Sequence, residues 1–115
     1  NADKEQDRVK AVILRDERSP EDSRYLDASF SPEGDIVIHG IDWGAEVQRL
    51  LGDSEYEWYW TIKAQEIPAV KIALQAENDL LQVLKNNFSG ENAANLASFL
   101  DQHGIQYEYW SRVGE

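Results

Sequence analysis

The sequence predicts an α+β fold: one domain holding a mostly antiparallel sheet of about five strands, with helices packed on one face. Three observations carry this. Period-two alternation appears in segments near both ends and in the middle of the chain. Apolar stripes at helical spacing cluster between residues 67 and 103. A Pro-Glu-Gly-Asp turn joins two of the alternating segments, so at least those two pair as a hairpin.

The apolar run Val9–Leu14 reads as the first strand, and "ERSPEDS" after it reads as a loop around Pro20. "RYLDASFS" then alternates, with Tyr25, Asp27 and Ser29 on one side and Leu26, Ala28 and Phe30 on the other. Pro32 presets φ and Gly34 tolerates a positive φ, so the chain turns there and returns as "DIVIHG". "DWGAEVQRLLG" reads as a short helix, with Asp42 as N-cap, Trp43, Val47, Leu50 and Leu51 as its stripe, and Gly52 just past its end. "EYEWYWTIKA" has the highest β propensity in the chain. Pro68 opens a helix through Val70, Ala73 and Leu74, because a first-turn proline forfeits no hydrogen bond. Leu80, Leu81, Leu84 and Phe88 mark the next helix. Leu96, Phe99, Leu100 and His103 mark a third, with Ser89 as a candidate cap and Gly104 as terminator. "IQYEYWSRV" is the last strand, so the order is β-β-β-α-β-α-α-α-β. Residues 1–7 are polar, start without Met and read as a flexible N-terminus compatible with an added scar or a removed leader. Residues 8–115 read as the single domain.

Composition excludes several functions. No cysteine is present, so there is no disulfide framework, thiolate nucleophile or zinc-thiolate site. Neither a signal-peptide pattern nor a membrane-length apolar run occurs, and a cytoplasmic location is expected. Twenty-two acids oppose eleven Lys and Arg, a net charge of −11. The excess runs along the whole chain and is densest in residues 36–62, which hold five acids and Arg49 as the one base. Such a field repels phosphates and anionic lipid and attracts a basic protein, so neither nucleic acid nor membrane is the expected partner.

Seven of the twelve aromatics fall in "YEWYW" (56–60) and "YEYW" (107–110). Alternation puts Tyr56, Trp58, Trp60 and Ile62 on one face, read as core, and Glu57, Tyr59 and Thr61 on the other. In the second stretch Tyr107 and Tyr109 oppose Glu108, Trp110 and Arg112. The two stretches read as neighbouring strands, with Tyr59 and Trp110 the candidates for exposed aromatics. Glu57 and Glu108 invite a carbohydrate-active or ligand-binding reading, in which two carboxylates flank a bond inside a Trp/Tyr cleft. Asp42, Asp53 and Glu55 lack the spacing of a calcium loop, so no metal is expected. His39 and His103 stand in no motif, the serines lack a nucleophile elbow, and no phosphate-cradling glycine loop occurs. No catalytic residue and no cofactor is therefore assigned.

The stretches "DIVIHGIDWG", "YEWYWTIKAQEIPAV" and "FLDQHGIQYEYWSRVG" resemble small acidic proteins of largely unassigned function common in high-GC Gram-positive bacteria. Size, charge and element order are also loosely similar to immunity proteins of interbacterial toxin systems. That resemblance implies a non-catalytic acidic domain that binds and neutralises a basic toxin domain. The residues expected to meet such a partner are Asp42, Glu46, Asp53, Glu55, Glu57 and Glu108 as charges, with Tyr59 and Trp110 as aromatic anchors. A third reading is a structural domain or a homodimer joined through the exposed sheet face.

Overall fold

The computed structural model describes residues 10–52 and 55–113, without the side chains of Glu46 and Leu51. The chain runs β1 (Ala11–Arg18), β2 (Asp22–Phe30), β3 (Ile36–Gly44), α1 (Ala45–Leu51) and β4 (Glu55–Ile62), then α2 (Ile67–Leu74), α3 (Leu80–Asn87), α4 (Leu96–Gln102) and β5 (Glu108–Val113). Short 3-10 turns, Ala64–Glu66 and Gly90–Asn95, lead into α2 and α4. The five strands form one sheet in chain order, and every neighbouring pair is antiparallel. This is the predicted α+β order.

The helices cover the middle of one face of the sheet. Leu26 and Ala28 of β2, Ile36 and Ile38 of β3, and Ile62 of β4 are all buried. Against them pack Val70 of α2, Leu81 and Leu84 of α3, and Leu96 and Leu100 of α4, the stripe positions predicted from helical spacing. β1 contributes Val12 and Leu14 to the same core through a bulge: the register slips between Ile13 and Arg15, leaving Leu14 as the extra residue.

The β2–β3 hairpin forms as expected. Gly34 sits at φ 89 and its N–H donates to the Ser31 carbonyl at 2.9 Å. Asp35 then ties this hairpin to the helical layer. Its carboxylate accepts the Ala64 N–H at 2.8 Å and the Lys63 ammonium at 3.1 Å. The Ala64 N–H, then Lys63, hold the Asp35 carboxyl below its ordinary range. A carboxylate held down in this way stabilises the fold above its unfolded value of about 4. That stability is lost as pH falls through the lower folded value. Urea midpoints are therefore expected to decline on acidification, and Asp35→Ala to lower the neutral-pH midpoint and flatten the decline. A wild-type midpoint unchanged down to low pH would refute this.

Three local expectations are corrected. Where a loop was expected at residues 17–23, β1 continues to Arg18 and β2 starts at Asp22, so only Ser19–Glu21 turn. There, Ser19 and Asp22 bond backbone to backbone and side chain to backbone. Asp42 is no helix cap: β3 runs four residues beyond Gly40, and Gly44 holds the N-cap position. The cause is cross-strand pairing of Asp42 with Arg24 and Tyr56, which keeps the chain extended. Ser89 precedes a 3-10 turn and its hydroxyl caps nothing. Val9, expected to start the first strand, lies outside the described residues.

The aromatic strand also departs from a simple core. Ile62 is 1% exposed, but Tyr56, Trp58 and Trp60 are only half-buried. They form a ladder of rings, Tyr56 to Trp58 at 5.3 Å, Trp58 to Trp60 at 6.5 Å and Trp60 to Tyr107 at 5.4 Å. Trp58 lies across Gly40, its register partner on β3. A Cβ there would come within 2.2 Å of the indole Cζ2. The indole N–H of Trp58 is sealed from solvent without an acceptor, so packing alone holds the ring. Gly40→Ala is expected to cost about 1–3 kcal/mol and to shift tryptophan emission, because the ring must leave its ladder. Unchanged emission and an unchanged urea midpoint would show that the ring yields freely.

Candidate functional site

The opposite face of the sheet carries no helix, and none of its described residues is buried. Strand register aligns its side chains in rows. Asp27, His39, Tyr59 and Trp110 form one row across β2, β3, β4 and β5. Tyr25, Ile41, Glu57 and Arg112 form the next. Thr61 and Glu108 share a row on the other side of the first. Glu57, Tyr59, Glu108 and Trp110 thus stand together on one open face of adjoining strands.

Glu57 is the hub. His39 donates from Nε2 to its Oε2 at 2.6 Å. Arg112 donates from Nε to its Oε1 at 2.9 Å, and the same guanidinium reaches Glu55 at 3.4 Å. The His39 bond first, and Arg112 after it, hold the Glu57 carboxyl below its usual range, outweighing the cost of desolvation. On the other side of His39, Nδ1 lies 3.8 Å from Asp27. Asp27 in turn accepts the Tyr25 hydroxyl at 2.8 Å, and burial together with this carboxylate pushes the Tyr25 phenol up to about 12. Tyr59 stacks on the His39 ring at 4.5 Å, and its hydroxyl points at Glu57 from 3.4 Å. Trp110 leans on Tyr59 at 5.6 Å and remains 50% exposed. Hydrogen bonds and ring contacts therefore hold most of these side chains in place.

The other predicted residues are Asp42, Glu46 and Asp53. Asp42 projects to the helix side, beside Arg24 and Tyr56, where burial raises its carboxyl pKa. It lines a pocket of about 180 Å3 beneath α1 with Val47 and Leu50. Glu46 is in α1, and Asp53 lies outside the described residues. A larger groove of about 740 Å3 opens between the β2–β3 turn and the α2–α3 connection, over Phe30, Ile67 and Leu80. Neither Glu57 nor Glu108 lines either cleft. Among the described residues no group of three or more His, Asp or Glu side chains could hold a metal ion, and no helix is long and apolar enough to cross a membrane.

Sequence reasoning missed His39, Asp27, Tyr25 and Arg112 as members of the site. Each stands in a different strand from Glu57, and only the register brings them together. Their alternation placed them on the polar side of their strands, which was the available signal. Comparison of the chain with protein-family models, with curated proteins and with solved structures finds no match.

Proposed function

We propose that this chain is a non-catalytic acidic binding protein whose open sheet face docks on a basic protein domain and blocks it, an immunity-type role toward a toxin. One observation carries the reading. Trp110 stands half-exposed on Tyr59, beside carboxylates already oriented by hydrogen bonds, on a face with no helix over it. Exposed aromatics of this kind supply binding energy at protein interfaces, and pre-ordering lowers the entropy cost of docking. The net charge of −11 speeds encounter with a cationic surface. Of the acids expected to meet the partner, Glu55, Glu57 and Glu108 lie on that face and Asp42 does not.

The arrangement disfavours the carbohydrate-active reading. Neither Glu57 nor Glu108 lines either of the two clefts, and the low carboxyl pKa that His39 and Arg112 give Glu57 suits a base or nucleophile but not the acid. The test is co-expression and co-purification with the product of the adjacent gene. That product is expected to be basic, to co-purify stoichiometrically and to lose its toxicity. A product that is neither basic nor bound ends the reading.

A further inference from the structure

The sheet has two edges, and they differ. β1 is defended: it carries a bulge at Leu14, and Arg15, Asp16, Glu17 and Arg18 load its second half with charge. β5 has no bulge, and its charges are limited to Glu108 and Arg112. Its register with β4 runs unbroken from Glu108 to Val113, without Pro, Gly or Lys. Tyr109, Trp110 and Val113 are 58%, 50% and 47% exposed. A regular edge strand bearing large exposed apolar groups is a template for another strand.

The side-chain pattern of β5 selects the occupant. On the open face it reads Glu108, Trp110, Arg112, with opposite charges equally spaced about a central aromatic. Paired antiparallel with an identical strand about a two-fold axis at Trp110, each Glu108 meets Arg112 of the other copy, and the two Trp110 rings meet at the centre. A parallel arrangement would instead bring like charges together. Arg112 is already held in place by Glu57 and Glu55, so it is presented in a fixed position. The −11 carried by each copy opposes association, but charges beyond the Debye length of about 8 Å at physiological salt are largely screened.

We infer that β5 is the seam of a symmetric dimer, in which a second copy of this chain adds its own β5 and makes one continuous ten-stranded sheet from two five-stranded ones. Because the two-fold is isologous, residue and partner surfaces are the same patch. The open faces of both copies then lie side by side, with Trp110 at their junction. This inference does not depend on the toxin-binding reading.

Sedimentation equilibrium of the full chain at physiological salt tests it. Wild type is expected at the dimer mass across the micromolar range. Trp110→Lys places two ammonium groups face to face and is expected to run as a folded monomer, with unchanged circular dichroism. Glu108→Arg sets Arg against Arg112 at both ends and is expected to weaken the dimer about tenfold. The chain has no cysteine, so single-cysteine variants report the register cleanly. Paired residues on antiparallel strands have Cα atoms about 4.5–5.5 Å apart, within disulfide reach. Trp110→Cys, on the axis, is expected to oxidise to a covalent dimer, and Glu108→Cys, off it, is not. A wild type that stays monomeric, a dimer that survives Trp110→Lys, or equal cross-linking at both positions overturns the proposal. A wild-type monomer that takes up a strand only from a different protein also overturns it.

Discussion

Gly44→Ala is expected to be the most damaging small substitution in the chain, costing about 3–5 kcal/mol. Gly44 ends β3 at φ 135, ψ −165, a backbone region populated almost only by glycine. Holding an alanine there costs about 1–3 kcal/mol by itself. The space is also closed: a Cβ would sit 2.2 Å from the Glu21 carbonyl oxygen and 2.7 Å from the Asp22 Cα. Those are backbone atoms at the point where the Ser19–Glu21 turn enters β2, and they cannot swing aside as a side chain can. Relief requires opening the end of the β2–β3 ladder, where Ala45 donates its N–H to Glu21 at 3.1 Å, for a further cost of about 1–3 kcal/mol. Against a total stability of about 5–15 kcal/mol, the melting temperature should fall by roughly 10–25 °C. Gly52→Ala is the control. Gly52 has φ 81, but among the described residues beyond its chain neighbours no atom lies within 4 Å of its would-be Cβ, so strain of about 1–2 kcal/mol is the cost expected there. Equal losses at the two glycines would mean that the close approach to β2 contributes nothing.

The same glycine explains what was legible in the sequence. Period-two alternation assigned the faces of β2, β4 and β5 because side chains must alternate, and helical spacing picked Leu80, Leu81, Leu84, Leu96 and Leu100 because each stripe needs a core. Neither signal reports where a strand stops. Asp42 followed by Trp-Gly-Ala looks like a helix cap. Only the pairing with Arg24 and Tyr56 shows that the strand outlasts it. Alternation also names a face without naming what covers it. Burial falls off along β4 from Ile62 back to Trp58 and Tyr56, because the core formed with α2, α3 and α4 lies toward the Ile62 end. The Glu57 network was the least legible part. His39 and Arg112 are 18 and 55 residues from Glu57, and they meet it only through two strand registers.

Those registers also make the binding proposal quantitative, because they separate an anchor from a steering charge on the same strand. Trp110→Ala is expected to weaken the complex with the basic partner by about 2–4 kcal/mol, roughly 30- to 1,000-fold. It removes half-exposed indole surface from a ring supported by Tyr59, which is itself stacked on His39. The loss should appear mostly as faster dissociation. Glu108→Gln, two residues away on the same face, removes a charge at the β5 edge but no apolar surface. It should slow association, reduce its salt dependence and leave dissociation nearly unchanged. The fold of the single chain should tolerate both changes within about 0.5 kcal/mol, since neither side chain is buried in it, whereas each change is also expected to loosen the β5 seam. Tyr59→Ala separates this binding from self-association. Tyr59 lies on β4, one strand in from the proposed seam, so its loss should weaken the partner complex while leaving the dimer mass unchanged. Binding by surface plasmon resonance, run at several salt concentrations, resolves both rates. If Trp110→Ala and Tyr59→Ala both bind as tightly as wild type, the open face is not the interface. The acidic field would then be steering the partner to another surface.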